Sequence, residues 1–190
     1  MLKIGEMIPD LELDTYQHDK SFKLKLHSLK GKWQVYIFYP GDFTFVCPTE
    51  LEDATKLYPE FLKEHAEVLS VSTDSVHVHK AWHDQSPAIK NVTFPMIADP
   101  TGRMCRAFGT YIEEGVDEGL SLRGTFVVNP DLQLIAYEMH HNDVGRSAKE
   151  ALRKLRAAKF VAEHPGKVCP ASWEPGADTL TPGLDLVGKI

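Results

Sequence analysis

The chain of 190 residues lacks several features, and each absence excludes a class of protein. No apolar run approaches the roughly 18–20 residues that span a bilayer, so no membrane partner is expected. The N-terminal Met-Leu-Lys-Ile-Gly-Glu has neither the basic stretch nor the apolar run of a secretory signal, and a cytoplasmic protein is expected. Positive charge is not in excess: Lys and Arg number 21 against 27 Asp and Glu, and the net charge is −6. There is no long block of like charge. A nucleic-acid partner is therefore not expected, because such binding rests on cations that neutralise phosphates. Repeats and low-complexity segments are absent. Only three cysteines occur, Cys47, Cys105 and Cys169, and no two form a C-x-x-C pair. That argues against a local zinc knuckle and against a thioredoxin-type redox pair, and an odd count is a poor disulfide scaffold. In a reducing compartment each is a packing residue or a reactive thiol.

What is present is enough apolar sequence, 43%, to build a core for one compact domain. Phe22–Leu26 alternates apolar and charged residues and predicts a half-buried strand; with Leu11–Leu13 it makes an N-terminal hairpin. Trp33–Tyr39 is nearly all apolar or aromatic, as in a central strand covered on both faces. Pro40-Gly41-Asp42 ends it. Leu51, Ala54, Leu57, Tyr58, Phe61 and Leu62 recur at helical spacing, with Glu52, Asp53, Lys56 and Glu60 opposite, so a helix is expected from about Phe45 to His65. A buried strand follows at Val68–Ser72, a helix at Val76–Asp84 and, after a turn at Asp99–Gly102, a short helix through Phe108. Arg123–Asn129 and Leu132–Met139 predict an antiparallel hairpin, and Ser147–Ala162 a long helix. With one further strand between the second and third helices, this order predicts an α/β sandwich with a central mixed sheet flanked by helices. Residues 1–164 read as the domain. Residues 165–190 are rich in Pro and Gly but carry Trp173, Leu180, Leu184, Leu186, Val187 and Ile190. They read as a C-terminal arm that docks on its own body or on a neighbour.

The segment with chemical content runs from Pro40 to Glu50, PGDFTFVCPTE. A buried strand ends, a loop turns, and a helix begins around Cys47. In the first turn, unpaired N–H groups and the positive end of the helix dipole favour a thiolate. Pro48 is tolerated there because its missing N–H would have had no helical partner. Thr44 stands three residues before Cys47, and its hydroxyl can reach an oxygen held over the sulfur. Pro40 can wall the sulfur from water. A buried packing cysteine at a helix start fits the same segment.

The spacing Pro-x-x-x-Thr-x-x-Cys, filled by Pro40, Thr44 and Cys47, resembles the active-site signature of the peroxiredoxins, and Pro48-Thr49-Glu50 extends the match. Arg123-Gly124-Thr125-Phe126 looks like the segment that carries the family's active-site arginine. Val168-Cys169-Pro170-Ala171-Ser172-Trp173 looks like the resolving-cysteine segment of the typical two-cysteine members. The ending Leu184–Ile190 is similar to the bacterial alkyl hydroperoxide reductase C branch. The resemblance covers essentially the whole chain. It implies a thioredoxin-like fold and a thiol-dependent peroxidase of antioxidant defence. It implies that Cys47 is the peroxidatic nucleophile, becoming a sulfenic acid. Arg123 would stabilise the thiolate and the peroxide oxygens. Thr44 would orient the peroxide and Pro40 would shield it. Glu50 would orient Arg123 by ion pairing, although a carboxylate in a helix first turn is favourable by itself. Arg146 matches a further arginine near this site.

Cys169, 122 positions beyond Cys47, would resolve the sulfenic acid. By resemblance it forms a disulfide with Cys47 of a second subunit, in a homodimer that exchanges C-terminal arms and assembles into a decamer of five dimers. Spacing alone leaves an intrachain bridge open. No bound cofactor or metal is implied. The electron donor would be external, either an NADH- or NADPH-dependent flavoprotein disulfide reductase or a thioredoxin. A holdase chaperone and a thioredoxin-like disulfide exchanger are the competing readings; the absent C-x-x-C opposes the second. Easily overoxidised relatives carry Gly-Gly-Leu-Gly and a C-terminal Tyr-Phe. Glu113-Glu114-Gly115-Val116-Asp117-Glu118-Gly119 stands here instead, and the tail has no Tyr-Phe, so resistance to overoxidation is expected.

Other residues are assigned no chemistry. Cys105 and Trp82 are expected to pack. His77, His79 and His83 resemble a metal cluster, but with no companion ligands at clear spacing they are expected on a solvated helix face.

Overall fold

The computed structural model describes residues 1–189; Ile190, counted above in the apolar arm, lies outside them. A seven-stranded mixed sheet runs in the order β2-β1-β5-β4-β3-β6-β7. β1 (Glu12–Gln17) and β2 (Lys20–Lys25) form the N-terminal hairpin. Its turn residues His18 and Asp19 both have positive φ, 49° and 59°, the sense that matches the twist of paired strands. β2 is an edge strand that is mostly exposed, including Phe22 at 38%. The half-buried face expected from its alternation is kept only towards its end: Phe22 is exposed, whereas Leu24 packs half-buried against the apolar core and Leu26 is fully buried.

β3 (Trp33–Phe38) is buried at every residue. It pairs in parallel with β4 (Ala66–Ser72) and antiparallel with β6 (Arg123–Val128). Because side chains alternate across a strand, Val35 and Ile37 enter one apolar layer while Tyr36 and Phe38 enter the other. The first layer receives α1 (Cys47–Lys63) and α4 (Ala148–Glu163) through Leu51, Ala54, Phe61, Leu152 and Leu155. α3 (Arg103–Phe108) sits in the second, with Phe108 against Phe38 and Phe126. Within α1, Leu62 is 48% exposed, so the apolar stripe ends at Phe61.

α2 (Val76–Gln85) leads to β5 (Met96–Ala98), the strand foreseen without a position. β5 lies parallel to β4 and antiparallel to β1. β7 (Leu134–His140) closes the far edge against β6.

Two caps matter for the site. Ser147 accepts the N–H of Glu150 at the start of α4, and Asp53 of α1 accepts the N–H of Ala148, 2.9 Å away. The second bond ties the first turn of α4 to α1 and brings Arg146 alongside Glu50. After α4 the arm folds back on that helix. Trp173 is 4% exposed and packs on Phe160, while Leu184 and Val187 are 93% and 73% exposed. No helix among the described residues is long and apolar enough to cross a membrane.

Candidate active site

β3 delivers the chain to its carboxyl end, where Pro40, Gly41 and Asp42 are buried. Phe43 then takes a positive φ of 55°, a costly conformation for a bulky residue that marks a constrained loop. Cys47 is the first residue of α1, and no side-chain cap occupies the first-turn amides. Its sulfur side chain is completely buried.

Arg123, the first residue of β6, reaches this helix start. Its Nη1 lies 3.3 Å from Cys47 Sγ and 2.7 Å from Glu50 Oε2, and its Nε donates to the Asn142 carbonyl at 2.7 Å. No protein acceptor meets its Nη2 among the described residues. Glu50, one turn along α1, also accepts from Arg146: the backbone N–H and Nε bond Oε1 at 2.8 and 2.9 Å, and Nη2 bonds Oε2 at 3.0 Å. Arg146 Nη1 donates to Thr125 Oγ1. The side chains of Glu50, Arg123 and Arg146 are each 4% exposed. Two guanidinium groups against one carboxylate leave one positive charge uncompensated beside the sulfur, in a setting where burial strengthens its effect. Burial pushes the Glu50 carboxyl up, but Arg146 and then Arg123 outweigh it and hold the group below the usual carboxylate range.

Thr44 lies in the loop before Cys47, and its hydroxyl donates to the Gly41 carbonyl at 2.8 Å. That leaves its oxygen lone pairs, rather than its proton, for another partner. The structure thus brings Cys47, Arg123, Glu50 and Arg146 into direct contact and sets Pro40 and Thr44 in the adjoining loop. Cys169 is placed elsewhere. It rests on α4 with Sγ 3.8 Å from the Ala157 carbonyl, in a groove of about 480 Å³ shared with Arg153, Val168 and Ser172. Nine residues of helix separate Ala157 from Ala148, roughly 13 Å at 1.5 Å per residue, and both thiols are free. Burial raises the Cys169 thiol, and the charge of Arg153 opposes that rise. Cys105 is wholly buried, and desolvation with the nearby Asp99 pushes its thiol up to about 12. It packs in the apolar core, as expected.

The histidine expectation needs correction. His79 is not solvated: it is fully buried, with Nδ1 2.7 Å from Asp42 Oδ2 and Nε2 3.2 Å from the Ile97 carbonyl. Tyr39 donates to Asp42 Oδ1, and the Asp42 N–H donates to Asp74. This network clamps the loop that precedes Cys47. Burial raises the Asp42 carboxyl, and His79 works against that rise. A signal existed, because His79 and Trp82 stand three apart on one helix face and Trp82 is 2% exposed, packed against Tyr39 and Phe43. His77 is exposed. His83 approaches Asp19 and Asp84, but the Lys80 ammonium bonds both carboxylates. The Asn142 carbonyl also went unnoticed, since a backbone acceptor carries no sequence signal.

Comparison with known proteins agrees with this geometry. The model of the AhpC/TSA family matches residues 4–137, and that of the C-terminal domain of 1-Cys peroxiredoxin matches residues 157–186. Alkyl hydroperoxide reductase C of Pseudomonas aeruginosa (strain UCBPP-PA14) is 48% identical across 100% of both chains. That of Bacillus subtilis (strain 168) is 44% identical, also across 100% of both. The crystal structure of Enterococcus faecalis AhpC superposes with a TM-score of 0.84 at 41% identity, covering 90% of this chain and 100% of that one. Reduced 2-Cys peroxiredoxin of Plasmodium vivax gives a TM-score of 0.86 at 27% identity, covering 93% and 91%. The sheet is that of the thioredoxin-like fold of these neighbours. The chain belongs to the AhpC/TSA family of peroxiredoxins and is a thiol-dependent peroxidase of antioxidant defence.

Proposed function

We propose that Cys47 is the peroxidatic thiolate and that Arg123 is its electrostatic partner. The 3.3 Å approach of Arg123 Nη1 to Sγ carries this reading. The sulfur attacks one peroxide oxygen: an S–O bond forms, the O–O bond breaks, and the departing oxygen leaves as water or an alcohol after taking a proton. Negative charge grows on the departing oxygen, and the Arg123 Nη2 donors, which meet no protein acceptor among the described residues, stabilise it. Thr44 offers oxygen lone pairs to the peroxide proton, and Pro40 walls the sulfur. Glu50 and Arg146 hold the guanidinium of Arg123 in place. Substrates on this reading are hydrogen peroxide and organic hydroperoxides.

Cys169 then attacks the sulfenic sulfur; an S–S bond forms and hydroxide leaves as water. We assign this bond to Cys47 of a second subunit, in a homodimer that exchanges the arm 165–190 while the domain 1–164 stays in place. Within one chain Cys47 is buried at the start of α1 while Cys169 rests against Ala157 of α4, with both thiols free, which supports an intersubunit route. The matched C-terminal model bears a one-cysteine name, yet the segment it matches here contains Cys169. Phe43 and Phe45, 52% and 93% exposed in the loop before Cys47, support assembly of dimers through that loop, and we favour a decamer. A flavoprotein disulfide reductase drawing on NADH or NADPH, or a thioredoxin, returns two electrons from outside, with no bound cofactor. We place the enzyme in the cytoplasm.

Peroxide consumption by wild type, Cys47→Ser and Cys169→Ser tests the scheme. Cys47→Ser should lose all turnover. Cys169→Ser should turn over with a small thiol and fail with the protein reductant. Unchanged consumption in Cys47→Ser would overturn the assignment.

A further inference from the structure

Arg123 has an attachment that leads away from the sulfur. Its Nε bonds the carbonyl of Asn142, in the loop between β7 and α4. The Asn142 side chain donates through Nδ2 to Asp117 Oδ2, 3.0 Å away, while its Oδ1 is buried with no partner. The bond to Asp117 is therefore the one polar anchor of that side chain among the described residues.

Asp117 lies in the segment Glu113–Gly119. The base of this excursion is closed by Ile112 N–H to the Leu120 carbonyl at 2.9 Å and Gly119 N–H to the Ile112 carbonyl at 3.0 Å. Arg106 pins Glu113 at 3.1 Å, and the Asp117 carbonyl itself accepts the Leu120 N–H at 3.0 Å. Glu113, Glu114 and Glu118 are exposed, whereas Asp117 is half-buried. Among four neighbouring acids it is the one bonded to Asn142.

A guanidinium is planar, with its donors in a fixed fork. Fixing Nε on one side and Nη1 on the other sets the plane, and hence where the remaining donors point. We infer that Asp117 is a positioning residue for the peroxidase reaction: it holds Asn142, whose carbonyl sets the plane of Arg123 over Cys47. The inference rests on the role of Arg123 proposed above. It makes a loop carboxylate, two hydrogen bonds removed from the guanidinium, part of the apparatus that aims it. What Asp117 supplies is an acceptor oxygen rather than a charge, so an amide at this position serves nearly as well.

The test uses the full chain as wild type, Asp117→Ala, Asp117→Asn, Glu118→Ala, Asn142→Ala, the Asp117→Ala/Asn142→Ala double variant, and Arg123→Met. Three quantities are read: the second-order rate with hydrogen peroxide, the rate of Cys47 alkylation by iodoacetamide at neutral pH, and the melting temperature. Asp117→Ala and Asn142→Ala should each slow both reactions roughly three- to tenfold, short of the hundredfold that a full misplacement costs. The double variant should be no slower than either single one, because both cut the same tether. Asp117→Asn and Glu118→Ala should match wild type. Melting temperatures should agree across the Asp117 and Glu118 variants. If Asp117→Ala behaves as Glu118→Ala while Arg123→Met is slow, the tether is wrong and the role of Arg123 stands. If Arg123→Met is as fast as wild type, the role of Arg123 itself falls. Equal slowing by Asp117→Asn and Asp117→Ala, or multiplied losses in the double variant, would also overturn the inference.

Discussion

One nitrogen of Arg123, Nη1, serves both Cys47 and Glu50: it stands 3.3 Å from the sulfur and 2.7 Å from the carboxylate. The carboxylate accepts three further bonds from Arg146. Glu50 thus sits in the first turn of α1 and orders two arginines at once. The two readings of it that the sequence left open describe one and the same residue.

That shared nitrogen makes Arg123 hard to replace. Arg123→Met should lower the rate with peroxide by about a hundredfold to a thousandfold, the loss typical of removing one aligned transition-state donor. Arg123→Lys should recover only a small part, because a point charge on a flexible stem cannot meet the sulfur, Glu50 and the Asn142 carbonyl together. Competition kinetics against a second peroxidase measures both. A loss below about tenfold in Arg123→Met contradicts the electrostatic role.

Glu50→Gln should destabilise the fold by about 3–5 kcal/mol at neutral pH, since it leaves buried guanidinium charge uncompensated. The effect should depend on pH with a definite sign. The folded carboxyl titrates below its ordinary value because Arg146 and Arg123 outweigh burial. Its stabilisation is therefore complete above about pH 4.3 and is lost as the pH falls through the lower folded value. Urea midpoints of wild type and variant should differ at neutral pH and converge in acid. A gap that widens in acid would be the wrong sign.

Trp173 anchors the arm. Its ring lies 5.0 Å from that of Phe160, its Nε1 donates to the Ala177 carbonyl, and its own carbonyl accepts from Arg153. Trp173→Ala removes an anchor worth about 3–5 kcal/mol when fully packed. Limited proteolysis should then cut the arm beyond His164 faster than in wild type, with the melting temperature of the body little changed. An unchanged cleavage pattern would show that the arm is held by something else.

Cys47 is buried on the first turn of α1, and Cys169, in the arm, packs against Ala157 of α4. For the proposed disulfide, both segments are expected to open locally. Hydrogen exchange at these segments should differ between reduced and oxidised protein; equal protection in both would exclude the opening. The segment Glu113–Gly119 reads EEGVDEG and does not carry the Gly-Gly-Leu-Gly of overoxidation-prone relatives. After turnover in high peroxide, mass spectrometry should find little Cys47 sulfinic acid, and ready inactivation with that product would contradict this.

The local features were legible in the sequence. The apolar run Trp33–Tyr39 predicted a strand covered on both sides, found at Trp33–Phe38, and the break at Pro40-Gly41-Asp42 with the periodicity beyond it predicted a helix beginning around Cys47, found to start at Cys47 itself. Periodicity and turn chemistry are properties of neighbouring residues, so they survive without the fold. The element order, and the arm with its tryptophan, followed from the same signals.

The pairing of His79 with Asp42, the exposure of Phe22 on β2, the insertion of β5 between β1 and β4, and the Asn142 carbonyl on Arg123 came from the tertiary structure alone. Each depends on which surfaces meet across tens of residues, or on a backbone atom that every residue possesses. The sequence by itself determined that Cys47 stands at a helix N-terminus, after a buried strand and a loop, with Pro40 and Thr44 at the peroxiredoxin spacing. Only the packing of α4 against α1, tied by Asp53 and Ala148, and the pairing of β6 with β3 decided that Glu50 would gather Arg146 and Arg123 around it, because two guanidinium groups distant in the chain share one buried carboxylate only when the fold holds them there.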